Sequence, residues 1–202
     1  MTGKASLDEE FAITKSSGKT PRLMLHCCCA PCSSYVLEYL SRFFEITILY
    51  YNPNIQPREE YDKRAAEFQK LLRLIEYPNK VDLTIGNYDS DVFEAATRPF
   101  WDEPEGGRRC RACFQLRLGE TAKRAGEGRY DFFTTTMSVS PHKNAALLNE
   151  IGSELGKKNG AKHLYSDFKK RDGYKRSIEL SKQYGLYRQT YCGCLVSKKC
   201  SR

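Results

Sequence analysis

No apolar run in this sequence is long enough to cross a membrane. The richest one, VLEYLSRFFEITILYY, is broken by Glu38, Arg42 and Glu45. The amino-terminal stretch MTGKASLDEEFAITKSSGKTPR lacks an apolar core of signal-peptide length, which argues against secretion and for a cytoplasmic, thiol-reducing setting. Acidic residues are in short supply, 25 against 33 Lys and Arg, and the resulting net charge of +8 favours an anionic partner such as nucleic acid or a phosphorylated substrate. Histidines number only three, which narrows the choice of proton donors. Internal repeats and long linkers are missing too. With 202 residues, 40% of them hydrophobic, the chain therefore reads as one domain over residues 21–202, preceded by a polar amino-terminal arm over residues 1–20.

Cysteine is abundant: nine residues, four of them packed into LHCCCAPCSS from Leu25 to Ser34. In a small secreted chain such a count would suggest a disulfide framework, whereas in a reducing compartment clustered cysteines signal metal binding or catalysis.

Periodicity gives the organisation. RLMLH is a short buried strand, followed by a helix that Ser33 or Ser34 can cap and whose apolar face is Val36, Leu40 and Phe43. EITILYYNPN is a second strand. Pro57 then opens a long helix with Tyr61, Ala65, Phe68, Leu72 and Ile75 on one stripe. KVDLTIGNY is the third strand, and a helix follows around DVFEAATRPFW. DEPEGGRRCRACF reads as a loop, with a helix starting near Cys113. YDFFTTTMSVSPHK is the fourth strand with its exit loop, NAALLNEIGSELGKKNG a helix, AKHLYSDF a fifth strand, and the tail from Gly173 a helix ended by YCGC. Strands alternating with helices predict an α/β fold: a doubly wound, mostly parallel five-stranded sheet of Rossmann-like or HUP-like type, with a cysteine-rich elaboration. The expected order 3-2-1-4-5 puts the opening cysteines and SVSPHK on one crevice at the switch point.

Three close-spaced cysteine groups need one explanation. Cys29-Ala30-Pro31-Cys32, after a strand and at a helix start, has the look of a thioredoxin-type dithiol, whose helix dipole lowers a thiol pKa. A dithiol, however, leaves Cys110-Arg111-Ala112-Cys113 and Cys192-Gly193-Cys194 unexplained. Together the groups supply more thiolates than one tetrahedral zinc accepts, and seven or more soft ligands fit iron–sulfur chemistry better. Cys27 and Cys200 are the weakest ligand candidates, since a free cysteine is commonly a small buried hydrophobe.

The motifs HCCCAPC, YNPNIQPREEY, CRAC, SVSPHKN, SDFKKRDGYKRS and YRQTYCGC, in this order from about Arg22 to Ser197, resemble those of the QueH-type epoxyqueuosine reductases. The first family motif reads HxCCxPC. His26, Cys28, Cys29 and Cys32 therefore match while Cys27 fills the variable position; Cys110, Cys113, Cys192 and Cys194 match the remaining cysteines. The resemblance implies a [4Fe-4S] cluster and an additional mononuclear iron beside it. It also implies the last step of queuosine formation, in which the epoxide of epoxyqueuosine in a tRNA anticodon loop is reduced to a cyclopentene without cobalamin, using an external low-potential electron donor.

Turning an epoxide into an alkene takes two electrons, two protons and loss of the oxygen as water. His142 is the candidate proton donor, and Asp167 the candidate oxygen ligand to the second iron, with Asp89 as the alternative. Tyr51 and Asn52 close strand two, where an aromatic ring can stack on the modified base; Ser140 and Lys143 lie in the SVSPHK loop, where Lys143 can hold phosphate or ribose. Arg109, Lys169 and Lys170 lead the basic residues placed beside site loops to hold tRNA phosphates. His26, at a strand end, suits a structural hydrogen bond at least as well as chemistry. The spacing leaves open which cysteines serve which metal. Two other functions compete: a thioredoxin-like CxPC oxidoreductase and a zinc-stabilised RNA-binding module.

Overall fold

The computed structural model describes residues 18–200, so most of the expected amino-terminal arm lies outside the described residues. Four parallel strands, β1 (Arg22–His26), β2 (Glu45–Tyr50), β3 (Val81–Ile85) and β4 (Phe132–Thr135), form a sheet in the order β3-β2-β1-β4. Among the described residues seven helices accompany them: α1 (Ala30–Leu40), α2 (Arg58–Leu74), α3 (Ser90–Thr97), α4 (Arg108–Glu127), α5 (Ala145–Asn159), α6 (Gly173–Gln183) and α7 (Leu195–Cys200).

Alternation along the strands feeds two cores, because successive side chains point to opposite faces. Leu23, Leu25, Ile46, Ile48 and Tyr50 pack with Val36, Leu37 and Leu40 of α1 and Phe68 and Leu71 of α2. Met24, Leu49 and Phe133 face Ala122 and Ala125 of α4. A third cluster joins Phe114 and Leu118 of α4 to Leu148 and Ile151 of α5. Helices therefore cover both faces, as the alternating pattern predicts for a doubly wound sheet.

The sheet has four strands rather than five. The fifth segment is reduced to one parallel bridge, Phe133 with His163, held by Phe133 N–H to Lys162 O and Leu164 N–H to Phe133 O, both 2.9 Å. Beyond it, side chains take the backbone groups a strand would use. Thr134 Oγ1 donates to Leu164 O at 2.9 Å, while Asn149 of α5 accepts from Ser166 N–H and donates to Ser166 O, each at 3.0 Å. α5 can lie this close because Gly152 has no side chain; a Cβ there would sit 2.4 Å from the His163 ring.

Two helix starts also differ from expectation. α1 begins with Cys29 in the capping position and Pro31 in its first turn. Ser33 and Ser34 turn their hydroxyls back onto the carbonyls of Cys29 and Pro31, both 2.8 Å, instead of capping. α4 begins at Arg108, so Cys110 and Cys113 stand together on its first turns rather than at the end of a loop.

Candidate metal centre

The order β3-β2-β1-β4 reverses direction between β1 and β4, and the carboxyl ends of these two strands open the crevice expected of an α/β sheet. β1 ends at His26, level with Thr135 of β4, and the chain runs straight into Cys27, Cys28 and Cys29. Cys27 N–H continues the ladder to Leu49 O at 3.0 Å, and Asn52 Nδ2 donates to Cys27 O at 2.8 Å. This pinning fixes where the next sulfurs point.

The Sγ atoms of Cys28, Cys29 and Cys32 lie within 4.8 Å of one another, the only group of three or more potential ligands this tight among the described residues. Hydrogen bonding with Cys29 and Cys32, helped by the Arg117 guanidinium, holds the Cys28 thiol well below an ordinary thiol. Cys29, sharing its proton with Cys28, is pushed up to about 12, and Cys32 is raised for the same reason. Gln189 Nε2 donates to Cys29 Sγ at 3.0 Å from the opposite wall.

The other four cysteines matched by the motifs, Cys110, Cys113, Cys192 and Cys194, line a second cavity, together with Asn54, Glu105, Arg109, Phe114 and Lys143. Cys110 and Cys113 come from α4, Cys192 and Cys194 from the loop before α7. That loop folds tightly because Gly193 has φ +134°, where a side chain would meet Asn54 Nδ2 and Ile55 Cγ1 at 2.9 Å. Arg64, buried on α2 and paired with Glu60, holds the loop through Nη1 to Cys192 O at 3.2 Å and Nη2 to Tyr191 O at 3.3 Å. Each of these sulfurs has a donor at hand: Gly106 N–H to Cys110 at 3.2 Å, Arg117 Nη1 to Cys113 at 3.9 Å, Lys143 Nζ to Cys192 at 3.1 Å and Ser197 N–H to Cys194 at 3.4 Å. Burial pushes the Cys113 thiol up to about 11 and raises Cys110 as well. A cation in the cavity would reverse that preference, because ligation takes the thiolate form.

Sulfur donors surrounded by N–H groups suit a soft metal or cluster. Arg109, which lines the same cavity, has buried Nε and Nη2 donors without partners, which supports that fit. None of the eight cysteines with described side chains is in a disulfide.

Cys192, Lys143 and Glu105 line both this cavity and a solvent-open crevice of about 400 Å³. The crevice is walled by Cys28, Cys32, Ser140, His142, Tyr174, Arg188, Gln189, Thr190 and Tyr191 among others. Burial by itself would push Lys143 down, but the Cys192 sulfur and Glu105, 3.0 Å away, outweigh it and hold the ammonium protonated.

The structure thus brings Ser140, His142 and Lys143 to the crevice beside Cys28, Cys32 and Cys192. It sends other expected residues elsewhere. Tyr51 is buried with its hydroxyl 3.2 Å from Asp89, and Asn52 is wholly enclosed between Cys27 O and Arg117, so neither can meet a base. Arg109 is only 2% exposed, with Nη1 on the carbonyls of Trp101 and Glu103, so it cannot hold a surface phosphate. Asp167 pairs with Lys169 at 2.7 Å and lines neither cavity; Lys169 and Lys170 lie on the turn leading into α6, outside the crevice lining. His26 is buried, bonded to Thr135 Oγ1 at 2.9 Å, and lowered to about 3 by burial and the neighbouring Arg117 charge, which makes it a neutral structural group.

Sequence reasoning missed Tyr174, Arg188, Gln189, Thr190 and Tyr191 as crevice walls. Their signal was adjacency: four of them directly precede Cys192.

Cys27, by contrast, is fully buried in the apolar core beside Leu25 and Ala30, and burial drives its thiol up. Cys27→Ala is expected to keep the full metal content of the wild type and to lose about 1 kcal/mol of stability, in line with a small core truncation; metal analysis alongside denaturant unfolding checks both.

Residues 23–200 match the family described as Epoxyqueuosine reductase QueH. The chain is 42% identical to the epoxyqueuosine reductase QueH of Streptococcus pyogenes serotype M1, over 89% of this chain and 71% of that protein. It is also 42% identical to the protein of that name from Staphylococcus epidermidis, over 89% and 77% of the two chains. The Thermotoga maritima protein of the same name is 33% identical over 87% of this chain and 89% of its own.

Proposed function

For a chain that belongs to the QueH family of epoxyqueuosine reductases, we propose the reduction of the epoxide of epoxyqueuosine in tRNA to the cyclopentene of queuosine. The observation that carries this reading is the grouping of seven thiol side chains into two sets, four around one cavity and three clustered after β1, of which Cys28 and Cys32 line the crevice, with Cys192 lining both spaces.

Four thiolates are the usual ligand count of a [4Fe-4S] cluster, so Cys110, Cys113, Cys192 and Cys194 would hold the cluster. Cys28, Cys29 and Cys32 would hold the separate iron, leaving a position free toward the crevice. When bound, the two groups supply electrons singly from an external low-potential donor and Lewis acidity for the epoxide oxygen. Gln189 orients the Cys29 sulfur by its N–H bond. The crevice volume suits a nucleoside, since ligand pockets run roughly 300–1,000 Å³. Tyr174 and Tyr191 offer ring faces for the modified base, and Ser140, Arg188 and Thr190 offer polar contacts to its sugar and cyclopentane hydroxyls. His142 stands at the crevice as the proton donor to the departing oxygen. Lys143, kept protonated between Cys192 and Glu105, maintains a fixed positive charge at the boundary of the two spaces. Lys169 and Lys170 carry contacts to the tRNA backbone from the turn before α6, whose Tyr174 reaches the crevice.

The test is mass analysis of tRNA nucleosides after anaerobic incubation with a low-potential reductant. Conversion of the epoxide by brown, iron-replete protein is expected. A colourless zinc protein that binds tRNA unchanged would indicate the RNA-binding module, and a colourless protein with one fast thiol pair the thioredoxin-like reading.

A further inference from the structure

Helix α4 buries two arginines on the face that carries its cysteines. Arg109, Cys113 and Arg117 follow one another at intervals of four, so each arginine stands about one turn from Cys113 along the helix. Arg109 is 2% and Arg117 1% exposed. Neither makes an ion pair with a carboxylate among the described residues. Arg117 reaches Asn52 Oδ1 at 2.6 Å, His26 Nε2 at 3.3 Å and Cys113 Sγ at 3.9 Å; Arg109 uses Nη1 on backbone carbonyls and leaves Nε and Nη2 without partners beside the four-cysteine cavity. Burying a guanidinium without an anion costs several kcal/mol. A core built for packing would not place two of them here.

We infer that Arg109 and Arg117 are positioning residues for the occupant of the four-cysteine cavity, supplying charge and N–H donors that set its reduction potential. This rests on the cluster assignment above. Four thiolates around an oxidised [4Fe-4S] core leave two negative charges, and two guanidinium groups match them. Reduction adds a further negative charge, so fixed positive charge favours the reduced form and raises the potential. The free Nε and Nη2 of Arg109 would find their acceptors on sulfur.

The experiment is an anaerobic redox titration of full-length protein, following the visible spectrum, with iron content measured on each sample. Arg109→Met and Arg117→Met are expected to titrate below the wild type, while Arg109→Lys and Arg117→Lys, which keep the charge but lose the planar fork, shift less in the same direction. Should a Met variant fail to load iron, its Lys counterpart carries the test. Variants that load iron like the wild type and titrate at its potential overturn the inference alone. A wild-type protein without a cluster overturns the assignment and the inference together.

Discussion

Cys113→Ser protein, purified without oxygen, is expected to come off the column without the cluster's visible absorption and to convert epoxyqueuosine at least about 100-fold more slowly than the wild type. Serine keeps the size of the side chain but replaces a soft thiolate with a hard hydroxyl that does not ionise near neutral pH. The loss falls on a residue that is buried, approached by the Arg117 guanidinium at 3.9 Å, and fixed on a helix. Iron held at Cys28, Cys29 and Cys32 should survive, because those ligands come from α1 and the end of β1. Iron analysis with the visible spectrum reads both halves of the result. Retention of the cluster's absorption would show that Cys113 does not belong to its ligand set.

Cys28→Ala is expected to give the reverse pattern: absorption retained, a smaller share of the iron lost, and conversion again reduced by about 100-fold or more. Cys28 lines the crevice and is the thiol of the trio held lowest, so its removal takes away a ligand on the side open to substrate. Loss of the visible absorption in this variant would mean that the two sets of cysteines are divided differently between the metals. Comparing it with Cys27→Ala makes the test sharper, since adjacent residues of one type are expected to differ completely.

Much of the architecture could be read from the chain because it is written locally. Apolar strands alternating with amphipathic helices determine a doubly wound sheet, and the strand order follows from right-handed crossovers. What failed locally did so for tertiary reasons. AKHLYSDF has the composition of a strand, but Asn149 and Thr134, distant in sequence, take the backbone groups a strand would need. Ser33 and Ser34 look like helix caps until the position of Cys29 starts the helix earlier.

The site was legible as a set of ligands and illegible as a partition. Nothing in CRAC or YCGC says that they meet, since Arg64 and Gly193 create the approach from opposite ends of the chain. Charged residues misled most. In sequence, Arg109 looks like a phosphate contact on a basic loop. Burial, which no single-residue property reveals, takes it off the surface and sets it beside the cysteines.

Cys192, Lys143 and Glu105 were described as lining two spaces at once. On the proposed function, a nucleoside in the crevice and a cluster among the four cysteines would share these three side chains as a common wall, and the Cys192 sulfur would be the group through which an electron could pass from one space to the other.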